Sequence, residues 1–152
     1  MPVVIGVMDT QVVLKQSKAG KSLDTALKSK QTAIQENIRE KEKGLQSQRQ
    51  QLEQQRAALS QTDFQAKENQ LRQKMQALRD ESEKQRRDFL AARDRGFKQI
   101  ITQVDKVVQE IARERGLTLI VNKSMIILSA EAWDITPEVL KRLDAALPSV
   151  KI

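Results

Sequence analysis

Residues 38–78 read IREKEKGLQSQRQQLEQQRAALSQTDFQAKENQLRQKMQAL, and the two heptad runs on either side of one polar break decide the fold. Ile38, Leu45, Leu52 and Leu59 are each seven apart, as are Phe64, Leu71 and Leu78, with Met75 and Phe89 on the neighbouring seam position. One apolar residue per heptad with mostly polar flanks makes a thin coiled-coil seam on a solvated helix. Between the runs stands Ser60-Gln61-Thr62-Asp63, and Thr62 followed three residues later by Gln65 has the spacing of a capping box. The first helix is expected to stop, and the second to start, near residues 60–63.

Working outward, the apolar face continues upstream through Val13, Leu14, Ala19, Leu23, Ala26, Leu27 and Ile34, with Gly20 as a loose spot or break. Downstream it thickens through Phe97, Ile100, Ile101, Val104, Val107, Val108 and Ile111, then stops at Arg113, Arg115 and Gly116, a basic last turn and a glycine stop. The arms 10–59 and 63–115 are nearly equal in length, which predicts an antiparallel hairpin, each arm roughly 75 Å long if straight. Its two ends then meet, bringing the β-branched run Val3–Met8 beside Leu117–Val121. Asn122-Lys123-Ser124 reads as a turn and Met125–Leu128 as a third strand, so 117–129 is expected to be a β-hairpin. Thr136-Pro137 starts a last short helix with Val139, Leu140, Leu143 and Leu147 on one face, ended by Pro148.

The fold class predicted is therefore α+β, mostly α: a long antiparallel helical coiled-coil hairpin on a small β-strand body. The body comprises 1–20 and 100–152, with strands at about 3–8, 117–122 and 125–129 and a helix at about 137–147. The hairpin comprises 21–99. A body this small needs a partner to bury its apolar surface, and with no cysteine the cheapest partner is another copy. The residues expected in that oligomerising body are Val3, Ile5, Val7, Val107, Ile111, Leu119, Val121, Ile127 and Trp133.

Composition narrows the function. There are 27 basic and 20 acidic residues, no His, Cys or Tyr, and only 3% aromatics. The net charge of +7 points to an anionic partner, whether nucleic acid, lipid head groups or acidic protein. Residues 41–95 hold thirteen Lys or Arg against nine acids, so the arms themselves are positive. Without a His or Cys nucleophile or base, and with carboxylates standing singly among cations, an enzyme is not expected, nor any catalytic residue, metal or cofactor. Gly20-Lys21-Ser22 copies the end of a phosphate loop, but Lys15 stands where the motif needs glycine, and a helix precedes it. Phe64, Phe89 and Phe97 fall in or near seam positions, so they read as coiled-coil core rather than as stacking groups for nucleic acid. No stretch approaches the ~20 apolar residues of a membrane-spanning helix. Met1-Pro2 followed at once by a strand-like run suggests that a signal peptide has been removed ahead of this numbering. Gly44 and Gly96 interrupt helical stretches, each costing about 1 kcal/mol against alanine; Gly96, where polar arm meets apolar base, is a hinge candidate.

The pattern resembles the Skp/OmpH family of periplasmic chaperones of Gram-negative bacteria, over essentially the whole chain. The most specific pieces are Ile5-Gly6-Val7-Met8-Asp9, Ile111 to Asn122 (IARERGLTLIVN), and Asp134-Ile135-Thr136-Pro137-Glu138-Val139-Leu140 with Leu143. The resemblance implies a homotrimer whose hairpins enclose a cavity, and an ATP-independent holdase in the periplasm that shields unfolded outer-membrane proteins before membrane insertion. It also implies lipopolysaccharide or acidic phospholipid as a further partner class, to which no residue set can be matched. On this reading the client-binding residues are expected on the middle and distal arm: Leu45, Arg49, Leu52, Arg56, Phe64, Leu71, Arg72, Met75 and Arg79. The competing readings are a coiled-coil scaffold and a basic nucleic-acid-binding protein.

Overall fold

The computed structural model describes residues 1–152, which fall into two compact units: residues 1–27 with 92–152, and residues 28–91. The elements in chain order are β1 (Ile5–Met8), α1 (Thr10–Gln16), α2 (Lys18–Gln54), α3 (Gln61–Arg115), β2 (Leu119–Asn122) and α4 (Thr136–Ala146), with 3-10 turns at Lys123–Met125 and Glu131–Trp133 between the last two.

In the first unit β1 and β2 pair in parallel, with Ile5 opposite Leu119 and Met8 opposite Asn122. Parallel pairing suits strands joined by a long helical crossover rather than by a tight turn. The other edge of β1 is taken by the backbone at Asp134–Ile135, where the Ile135 N–H donates to the Val7 carbonyl at 2.8 Å. The expected β-hairpin over 117–129 does not form. A two-residue hairpin turn of the favoured kind needs positive φ at its central residues, and here no residue except Gly116 has one. Instead the Asn122 side chain accepts the Ser124 N–H at 3.3 Å and opens a 3-10 turn. The would-be third strand then runs on without a strand partner, leaving Met125, Ile127 and Leu128 exposed.

Local capping decides where each helix begins and ends. Asp9 caps α1, its Oδ1 accepting the Val12 N–H at 3.1 Å. The break that follows falls at Ser17, whose buried hydroxyl accepts the Gly20 N–H at 3.0 Å. Gly20 is what allows it: a Cβ there would stand 1.8 Å from the Leu14 carbonyl oxygen. Asp144 of α4 adds a tertiary cap, accepting the Lys18 N–H at 2.7 Å. At its far end α3 stops where Gly116 takes φ +64°, and the Leu117 N–H donates back to the Ala112 carbonyl at 2.9 Å. That is the six-to-one bond of a Schellman ending.

The core of this unit joins Val13, Ala19 and Leu23 to Ile100, Val104, Val107 and Ile111 of α3 and to Ile135, Val139 and Leu143 around α4. The α3 members recur at four, three and four residues, one face of a helix. Burying Val139 and Leu143 fully is worth about 1.5–3 kcal/mol each, which explains how an eleven-residue helix stays docked. Thr136 is the first residue of α4, after Ile135 at the N-cap. Its hydroxyl accepts the Asp9 N–H at 2.9 Å while its own N–H donates to Asp134 Oδ1 at 2.9 Å, tying the start of α4 to the start of α1.

The second unit is an antiparallel pair made by α2 and α3. Its turn comes earlier than expected: α2 ends at Gln54, and the cap of α3 is Ser60, whose Oγ accepts the Asp63 N–H at 3.1 Å. A helix start uses one cap, and the serine two residues upstream of Thr62 has taken it. Lys74 Nζ donates to Gln48 Oε1 at 3.1 Å and Lys41 pairs with Glu81, which sets the register of the two arms. The seam is as thin as the heptads imply. Leu52 and Leu71 are buried in it, while Ile38, Leu45, Leu59, Phe64 and Leu78 are half-buried.

Candidate functional site

A groove of about 580 Å³ opens along one face of the second unit. Ile38 and Leu45 of α2 and Met75 and Leu78 of α3 supply its apolar lining; Glu42, Arg49, Arg79 and Glu83 add charge. The groove exists because a one-residue-per-heptad seam cannot close over itself: the flanking positions carry Gln, Ser and charged side chains that stay in water. Apolar surface is thus left accessible beside cations that can still reorient.

Of the nine expected client-facing residues, eight fall into three groups, and Arg72 stands apart on the exposed surface of α3. Leu45, Arg49, Met75 and Arg79 come together in the groove. Leu52 and Leu71 do not face solvent; they hold the arms together. Arg56 and Phe64 meet at the distal end, with the guanidinium 5.1 Å from the ring centroid, and Arg56 also pairs with Glu53 at 3.1 Å. That arginine is engaged within its own chain, whereas Arg49, Arg72 and Arg79 are exposed and make no ion pair. Ile38 and Leu78 are lining residues that the earlier set omitted; the heptad that places them in the seam was the available signal.

One polar layer interrupts the seam. Gln85 follows Leu78 by seven residues, donates through its amide to Glu81 Oε1 at 3.2 Å, and leaves its carbonyl oxygen buried without a partner. An unsatisfied buried acceptor costs about 1–3 kcal/mol, so this polar layer destabilises the hairpin locally beside the Lys41–Glu81 pair.

In the first unit the residues expected to form an oligomerising surface are divided. Val7, Val107 and Ile111 are wholly internal, covered by the chain itself, so they support the body from inside. Val3, Leu119, Ile127 and Trp133 are exposed, with Ile127 fully so, and Ile5 and Val121 are half-buried. Gly96, the hinge candidate, is a close-packed position within α3. The helix runs unbroken through it, and an added Cβ would lie 2.3 Å from Leu23 Cδ1 and 3.1 Å from Ile152 Cγ2. Phe97, expected in the core, is partly exposed and lines a second concavity with Leu14, Leu23 and Leu27, with Lys15 and Lys21 among its lining residues.

The perturbed ionisable groups lie in the first unit, where they tie α3 and the 122–134 segment to α4. Hydrogen bonds from Arg142 hold the Glu114 carboxyl below the usual range, and the same contact, with Glu138, raises the arginine. Burial pushes Asp134 up, but hydrogen bonds donated by Thr136 and the charge of Lys123 outweigh it and hold the carboxyl low. No three acidic, His or Cys side chains converge as a metal site would require.

A family model described as Outer membrane protein (OmpH-like) matches residues 4–143. The crystal structure of a candidate outer membrane chaperone (OmpH-like) from Caulobacter crescentus CB15 superposes with a TM-score of 0.92 at 15% identity, over 100% of this chain and 90% of that one. At that identity the likeness establishes the fold. No curated protein matches the sequence significantly.

Proposed function

The chain belongs to the OmpH-like family of outer membrane proteins, which supports a chaperone role, and we propose that it is an ATP-independent holdase for unfolded outer-membrane proteins in the periplasm. The observation that carries this reading within the molecule is the open groove of the hairpin, where Leu45 and Met75 stand beside Arg49 and Arg79. Methionine and leucine side chains accept varied apolar segments without demanding one sequence. Cations free of ion pairs attract client carboxylates. Each contact is weak, and repetition supplies the affinity.

In this reading three copies associate through the body and their hairpins enclose the client. The exposed Val3, Leu119, Ile127, Leu128 and Trp133 support self-association, since large apolar side chains left in water favour burial against another copy. Enclosure would keep one client's unpaired strand edges from another's. No chemical step and no cofactor enter the mechanism, and acidic lipid surfaces remain a further partner class for the positive arms.

The test is dilution of a urea-denatured outer-membrane β-barrel protein into buffer containing the chain, without ATP, at low and high salt. Light scattering should be suppressed and a soluble complex formed, less strongly at 1 M salt, where charges are screened beyond about 3 Å. Arg49→Ser with Arg79→Ser should flatten that salt dependence. Undiminished aggregation at both salts would favour a scaffold, and retained DNA binding at moderate salt would favour a nucleic-acid role.

A further inference from the structure

Beyond α4 the chain turns back across its own helices. Val150 is buried in the core, and its N–H donates to Ser22 Oγ of α2 at 3.3 Å. One residue later the Gln99 side chain of α3 embraces the backbone of Lys151: its Oε1 accepts the Lys151 N–H at 3.2 Å and its Nε2 donates to the Lys151 carbonyl. Ile152 and Leu23 then occupy the space that a Cβ on Gly96 would need.

These contacts have the grammar of peptide recognition. The polar bonds reach only the backbone of residues 150 and 151, and the apolar anchors are the alternate side chains Val150 and Ile152, while that of Lys151 stays in solvent. Alternation of buried and exposed side chains is the period of an extended chain, and backbone bonds with pockets for every second residue are how extended peptides are bound. Gly96 is legible in the same terms, since removing a Cβ is what lets Ile152 come down onto α3.

We propose that the cleft between Ser22–Leu23 of α2 and Gly96–Gln99 of α3 is a short-peptide site, filled by the chain's own Ser149–Ile152, which acts as a detachable clamp on these helices. A segment held by three hydrogen bonds to its backbone and two small anchors opens locally, uncovering this edge of the core while α4 stays folded. This inference does not depend on what the hairpin binds.

Hydrogen exchange on the full chain tests it. Gln99→Ala, which leaves the core side chains in place, is the deciding variant: amides in 22–27 and 96–104 should exchange about tenfold faster while 136–143 in α4 do not change. Val150→Asp should release the same segments, and Lys151→Ala should have no effect, because only its backbone is used. Adding the synthetic peptide PSVKI at millimolar concentration to the Val150→Asp chain should restore protection, and the same peptide with aspartate for valine should not. Unchanged exchange in Gln99→Ala, acceleration spreading through α4 in that variant, or failure of PSVKI to protect would each overturn the proposal.

Discussion

Two glycines that look alike in sequence have opposite consequences. Gly44 and Gly96 both interrupt helices, yet a Cβ at Gly44 would meet nothing within 4 Å, whereas one at Gly96 would collide with Leu23. Gly44→Ala should therefore stabilise the chain by up to about 1 kcal/mol through helix propensity. Gly96→Ala should instead destabilise it by about 1–3 kcal/mol through overpacking. Urea unfolding followed by circular dichroism reads both. A Gly96→Ala chain as stable as its parent would mean that Leu23 and Ile152 give way to the added methyl. Gln85 carries a related lesson, since its carbonyl is buried without a donor. Gln85→Leu continues the Leu71–Leu78 seam and should raise the hairpin's stability by about 1–3 kcal/mol, seen as slower exchange of residues 78–89.

At the level of elements, the question is which local signal wins when two are available. Ser60 and Thr62 both have cap chemistry, and a capping-box argument favours the second; the structure uses the first. Ser60→Ala should cost about 1 kcal/mol and lower the hairpin's melting temperature, while Thr62→Ala should be nearly silent. Equal effects would mean that the start of α3 frays between both caps. The same competition explains residues 122–130. β-Propensity in Met125–Leu128 is genuine, but propensity forms no strand without a partner edge and a turn able to deliver it. Here β1 already has a neighbour on each side.

For the whole molecule, pH dependence follows from the charge network of the body. Glu114 and Asp134 are both held below the usual carboxylate range in the folded chain. A depressed folded-state value means that the unfolded chain binds protons more readily, so the stabilisation is present at neutral pH and lost as pH falls through about 4 and below. With no histidine in the chain, stability should be nearly flat from about pH 5.5 to 7 and should fall on acidification. Thermal melts across pH 3 to 7 measure this, and a marked loss between pH 7 and 6 would contradict it. The Glu114 part should vanish in Arg142→Met, since that arginine provides its hydrogen bonds.

The sequence by itself determined the two arms, their antiparallel pairing, the meeting of the chain's two strand segments and the thinness of the seam. Those features follow from periodicity and length, which are properties of the chain read in order. Tertiary structure alone decided that the strands pair in parallel and that Ser60 rather than Thr62 caps α3. It also decided which seam residues are packed and which line the groove, that Val7, Val107 and Ile111 lie inside the body, and that residues 149–152 fold back onto α2 and α3. Apart from the Ser60 cap, which acts three residues along the chain, such contacts join partners distant in sequence: Asp144 for Lys18, Thr136 for Asp9, Gln99 for Lys151, Leu23 for Gly96. A side chain's chemistry can be read from its own position, but its contacts depend on which remote backbone comes within hydrogen-bond or van der Waals reach, and only the folded chain brings those groups together.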